Sequence, residues 1–140
     1  MTAAGPGPVR VAARTGQFTV GRAVEFDADS RATSALEYWL GAAGAELVAG
    51  FRAAAKRRRL VVDAVEALVT GELEHALTYL EVVGESGEPR IVRIEVKVFV
   101  ASPEPPERIR TVFDGAVRRL PIAGTLRPLV DLDIDLVLTS

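Results

Sequence analysis

Ser34-Ala-Leu-Glu-Tyr-Trp-Leu-Gly-Ala-Ala-Gly-Ala-Glu-Leu-Val-Ala-Gly-Phe-Arg-Ala-Ala-Ala-Lys-Arg-Arg-Arg59 reads as one unbroken helix. Ser34 and Glu37 have the spacing of a capping box, in which each side chain satisfies the other residue's free backbone N–H. Lys56 to Arg59 place cations where a helix C-terminus favours them. At about 1.5 Å per residue the element would run about 39 Å. Its interior is rich in small residues: Gly41, Ala42, Ala43, Gly44, Ala45, Ala49, Gly50 and Ala53. Glycine inside a helix costs about 1 kcal/mol relative to alanine, so this cluster implies close approach of another backbone, with a second helix as the expected neighbour. Glu46 stands alone in the otherwise uncharged run from Tyr38 to Phe51. A carboxylate in an apolar setting must be paired, hydrogen-bonded or neutralised, so something polar has to meet it.

Outward from this helix the pattern changes period. Val9–Ala13, Gln17–Val20 and Ala23–Phe26 read as short strands, followed by a loop over 27–33. Beyond the helix, Leu60–Thr70 and Ala76–Val83 read as β-rich with a break at Gly71, and a helical reading of part of 72–83 stays open. In Arg90–Ala101, Val92, Ile94, Val96, Val98 and Val100 alternate with Arg93, Glu95 and Lys97, which describes a half-buried strand. Ser102-Pro-Glu-Pro-Pro106 opens a second helix. Its stripe of Ile109, Val112, Phe113, Ala116, Val117 and Leu120 keeps helical spacing until Pro121 stops it. A last strand alternates Val130, Leu132, Ile134, Leu136 and Leu138 with Asp131, Asp133 and Asp135. The expected order is β-β-β-α-β-β-α-β, an α+β domain spanning 1–140 with 1–8 as a flexible start.

With 49% apolar and 26% charged residues, the 140-residue chain has the composition of a globular domain large enough for a core. A net charge of -2 gives no electrostatic case for nucleic acid or an anionic membrane surface. Cysteine is absent, which removes disulfides, thiolate metal sites and thiol nucleophiles. The single histidine, His75, rules against a histidine metal cage and is assigned no role; no metal and no cofactor is expected. Without a signal-like apolar segment or a run of about 18 apolar residues, a cytoplasmic location is the expectation.

Two segments, in this element order, resemble the OsmC/Ohr family of bacterial stress proteins and organic hydroperoxide reductases. Ser34-Ala-Leu-Glu-Tyr-Trp-Leu-Gly-Ala-Ala-Gly-Ala-Glu46 is similar to that family's S-P-x-E-x-L-L-x-A-L-G-x-C, and Arg118-Arg-Leu-Pro-Ile-Ala-Gly-Thr-Leu126 to its C-P-V-x-x-T-L. The resemblance covers about 17–139. It implies antiparallel sheets wrapped around a long central helix, an intertwined homodimer and a site at the subunit interface. It also puts Glu46 at the position of the peroxidatic cysteine and Leu120 at that of the resolving cysteine. Glu37 matches an activating glutamate, and Arg22 is the candidate for an activating arginine. A thiolate must attack the peroxide and a second thiol must close the disulfide, and neither a carboxylate nor a leucine does so. Thiol peroxidase activity is therefore expected to be absent.

The expected pocket holds Glu37, Trp39, Glu46 and Leu120, takes a small hydrophobic ligand and is otherwise structural. For Glu46 three readings stand: a residue on a wet face or in an ion pair across the dimer, a ligand contact, or a general acid or base on a small hydrophobic substrate. Glu37 is first a capping residue, Leu120 a core residue and Trp39 a core or interface residue. Asp131, Asp133 and Asp135 lack the glycine and later glutamate of a calcium loop and read, by alternation with Leu132 and Ile134, as the solvent face of a strand. Asp27 and Asp29 read as loop residues, and Lys56–Arg59 as a helix terminus.

Overall fold

The computed structural model describes residues 8–21 and 32–139. Its elements are β1 (Val9–Ala13), β2 (Gly16–Val20), α1 (Ala35–Arg57), β3 (Ala64–Glu74), α2 (Ala76–Tyr79), β4 (Arg90–Ala101), α3 (Pro106–Val117), α4 (Pro121–Leu126) and β5 (Asp131–Thr139). The α+β class is as expected. The third early strand at 23–26, Arg22, Asp27, Asp29 and the flexible start except for Pro8 lie outside the described residues.

The capping box at the head of α1 forms as its spacing requires. Ser34 N–H donates to Glu37 Oε2 at 2.7 Å, and Glu37 N–H donates to Ser34 Oγ at 3.3 Å. The Glu37 carboxyl is held below its ordinary range, first by the Ser34 backbone N–H and then by its hydroxyl. At its other end α1 stops at Arg57, short of the expected Arg59, because Arg59 turns left-handed at φ 54°.

Three corrections concern the strands. Gly71 does not break the chain: β3 runs through it to Glu74, and a Cβ at Gly71 would come within 3.0 Å of Leu40 Cδ2. The glycine gives α1 room to lie on the strand. The β-rich reading of 76–83 is replaced by the short α2, which follows His75 in a left-handed conformation, so the helical alternative for this stretch holds. Finally, the main sheet is mixed rather than antiparallel. It has the order β3-β4-β5, β3 pairing antiparallel and β5 parallel to β4. The helical crossover through α3 and α4 returns the chain to the starting end of β4, which a tight turn cannot do. β1 and β2 form a separate antiparallel hairpin.

The core lies between the main sheet and two helices. Ile94, Val96, Val98 and Val100 of β4 are fully buried in a cluster with Leu47, Phe51 and Ala55 of α1 and Ile109, Phe113 and Val117 of α3. Phe51 meets Phe113 edge-on, with centroids 5.6 Å apart. On the opposite face Asp131, Asp133 and Asp135 register beside Arg93, Glu95 and Lys97, and Arg93 bonds to Glu95 at 2.8 Å and Asp131 at 3.2 Å. The aspartates are thus the solvated face of a strand. Exposed pairs of this kind add at most about 1 kcal/mol each.

Ser34→Ala should lower unfolding stability by about 1 kcal/mol, the usual cost of losing an N-cap, as measured by denaturant titration. Because Glu37 titrates below its unfolded value, its contribution is complete above the ordinary carboxylate range and fades as pH falls through its depressed native value. The difference between wild type and Ser34→Ala should therefore shrink in acid.

Candidate functional site

The second helix does not continue to Pro121. α3 ends at Val117, and Pro121 instead opens α4 at its first position, where its missing N–H costs nothing. A helix start leaves its first amides without partners. In α4 the N-cap is Leu120, whose side chain accepts nothing, so the amides of Ile122 and Ala123 need an acceptor from elsewhere.

Glu46 supplies it from the middle of α1. Ile122 N–H donates to Oε1 at 3.1 Å and to Oε2 at 3.0 Å, and Ala123 N–H donates to Oε2 at 3.4 Å. The partner that the lone charge required is therefore a helix start 76 residues further along the chain. Negative charge at a helix N-terminus is favourable, and hydrogen bonds to an ionised acceptor are stronger than neutral ones. Glu46 is half-buried, neither facing bulk water nor sealed in the core.

One turn on, Gly50 completes the junction. A Cβ on Gly50 would collide with the side chain of Leu120, so the glycine admits that leucine against α1. Gly44 is constrained in the same way on the other side, where a Cβ would lie 2.6 Å from Val69 Cγ2 of β3. Gly41 has open space at its Cβ position. Two of the three glycines of α1 thus answer to neighbours within the chain, a strand and the residue before α4, while the third does not.

Within the single chain, the four residues expected to line an interface pocket lie in three separate places. Glu46 and Leu120 meet at the α1–α4 junction and line none of the five clefts around Glu37, Trp39, Arg108, Asp131 and Asp133. Glu37 borders an open groove of about 790 Å³ between α1 and β3, floored by Gly41, Gly44, Ala45, Val48 and Ala49. Trp39, 41% exposed, borders a different cleft of about 490 Å³ with Leu36, Leu73, Tyr79, Pro89 and Ile91. No group of three His, Asp or Glu side chains among the described residues is placed to hold a metal ion. Ile122 and Ala123 were not identifiable from their own side chains, since both act through backbone N–H. Pro121 was the available signal, as a proline that starts a helix rather than one that ends it.

A small α+β domain, with a long helix laid on a mixed sheet and a carboxylate-capped helix junction without sulfur, is the class that these features define. A family model described as OsmC-like protein matches residues 27–135. The chain belongs to the OsmC-like protein family. A comparison with curated proteins finds no match. Among solved structures, an OsmC-like protein from Mycoplasma pneumoniae superposes with a TM-score of 0.78 at 16% identity, over 95% of this chain and 89% of that one. An organic hydroperoxide resistance protein OsmC from Legionella pneumophila gives 0.67 at 11% identity, over 96% and 99%. The organic hydroperoxide resistance protein OhrB of Bacillus subtilis gives 0.62 at 15% identity, over 92% and 95%. At these identities the likeness is one of fold.

Glu46→Ala should cost about 1–3 kcal/mol, because it leaves two partly buried amides without an acceptor. Glu46→Gln, which keeps one carbonyl oxygen, should cost less. Chemical denaturation of both variants checks the order, and equal losses would show that the acceptor does not matter.

Proposed function

We propose that this chain is a non-peroxidatic OsmC-like homodimer that binds a small apolar ligand, with Glu46 as a structural clamp in place of redox chemistry. Glu46 and Leu120 stand, on this reading, where relatives carry their two cysteines. The observation that carries it is the engagement of both Glu46 carboxylate oxygens by the amides of Ile122 and Ala123. A carboxylate held by backbone donors is poorly placed to take a proton from a substrate, which weighs against a general acid or base at this position. The absence of cysteine from the 140 residues removes the thiolate route altogether.

The groove over α1 is the proposed seat of the second copy. Its floor of glycine and alanine suits close approach of another helix, and Gly41, unconstrained within the chain, belongs to that floor. Glu37 and Arg52 border it and lie symmetrically about the 44–45 peptide bond. A two-fold pairing of antiparallel α1 helices centred there would set Arg52 opposite the partner subunit's Glu37, the self-complementary arrangement of an isologous interface. Ala45→Arg puts a bulky charge at that centre on an exposed helical position. It should reduce the mass in sedimentation equilibrium from twice 14.9 kDa to 14.9 kDa with the helix content unchanged. A dimer that survives the change would contradict this seat.

The ligand site is the apolar cleft beside Trp39, whose volume and aromatic walls suit a small hydrophobic molecule. Trp39 is the only tryptophan, so its emission reports on this cleft directly. Titration with decanoic acid should shift that emission saturably, while the same protein gives no turnover of an organic hydroperoxide with a dithiol reductant. Unchanged emission would remove the ligand site, and robust turnover would overturn the non-peroxidatic reading.

A further inference from the structure

A second cleft, of about 430 Å³, opens between the last turns of α1 and the body of α3, away from the Glu46 junction. Ala54, Val112, Gly115 and Ala116 form its apolar floor, and Arg57, Arg58, Arg108 and Arg119 stand around it. We propose that this cleft binds a small phosphate-bearing anion of the di- or triphosphate type.

Four arginines lining one concavity concentrate positive charge there unless something neutralises them. Among the described residues only Arg108 is engaged: it forms an ion pair with Glu104 at 2.6 Å and donates to the Arg58 carbonyl at 3.2 Å. These contacts fix it at the cleft wall. Arg57, Arg58 and Arg119 have no carboxylate partner among the described residues. The concentration of positive charge is local, since the chain as a whole carries -2.

A helix C-terminus explains such cations when they cover its free carbonyls. Here the backbone does that work. The carbonyl of Ala54 accepts from Arg58 N–H, that of Ala55 from Leu60 N–H, and that of Lys56 from Arg59 N–H. The arginine side chains are therefore free of a capping duty, apart from the one Arg108 bond to the Arg58 carbonyl. Guanidinium forks match phosphate oxygens in pairs, and a concave site with an apolar floor strengthens each such contact relative to open water.

The shape favours a small ligand over a polymer. The volume lies in the range of small-molecule sites, and the floor is open at Gly115, where a Cβ would meet nothing within 4 Å. A side chain at 115 would fill the cleft without removing any charge. Gly115→Leu therefore separates a shaped site from a merely basic surface, and replacing a helical glycine there does not weaken α3.

Isothermal titration of the full chain with inorganic pyrophosphate and tripolyphosphate, at near-physiological salt, should give saturable binding at one site per chain. The Arg57→Gln/Arg119→Gln double variant should weaken it at least tenfold. Gly115→Leu should do the same with all four arginines present, circular dichroism confirming an intact fold. Absence of saturable binding would overturn the proposal, and so would wild-type affinity in Gly115→Leu. Tighter binding of a DNA duplex that Gly115→Leu leaves unchanged would instead assign the patch to a polymer and overturn it as well.

Discussion

The carboxylate of Glu46 ties the middle of α1 to the first turn of α4, and the placement of the crossover depends on that tie. Pro121 can start a helix but donates no N–H, and Leu120 offers no acceptor, so α4 begins with two amides that nothing local satisfies. α1 in turn carries a charge that nothing in its own uncharged run can meet. Each end of the interaction resolves the other's deficit. Three charge-assisted contacts across 76 and 77 residues anchor the segment that leads into β5. A short helix of six residues has little stability of its own, and its position is held by this anchor and by Ala123 and Leu126 in the core.

Small residues on α1 make the rest of the packing possible. Gly44 admits Val69, Gly50 admits Leu120, and across the interface Gly71 admits Leu40. In each case a glycine lets a branched side chain approach a backbone. The helix thereby reaches the sheet on one side and the α3–α4 corner on another, while Phe51 and Leu47 sit in the core. The face bearing Gly41, Ala42, Ala45 and Ala49 is left exposed. This apolar face adjoins the groove bordered by Glu37, Arg52 and Glu66, the surface proposed for the second copy.

What was legible in the sequence is what local spacing encodes. The Ser34–Glu37 box, the alternation in β4 and the aspartate face of β5 depend on residues two or three apart, and all appear as read. The long helix was legible too, apart from its last two residues, where Arg59 in a left-handed conformation ended it early. Gly71 was misread because a glycine that weakens a strand and one that admits a neighbouring helix look alike without the neighbour. The parallel pairing of β5 and the short α2 follow from tertiary connection rather than from periodicity. At the site, the need of Glu46 for a partner could be inferred from its surroundings. Its identity could not, because backbone amides leave no trace in side-chain identity. Within one chain Glu37 and Trp39 border different clefts, one over β3 and the other toward α2, while Glu46 reaches the start of α4.

The most direct test of Glu46 as the clamp of α4 is amide hydrogen exchange at Ile122 and Ala123, measured by NMR in the wild type and in Glu46→Ala. Exchange at these two amides should accelerate strongly in the variant, while core amides of α1 such as Leu47 and Phe51 keep their protection. Unchanged protection at Ile122 and Ala123 would contradict the clamp.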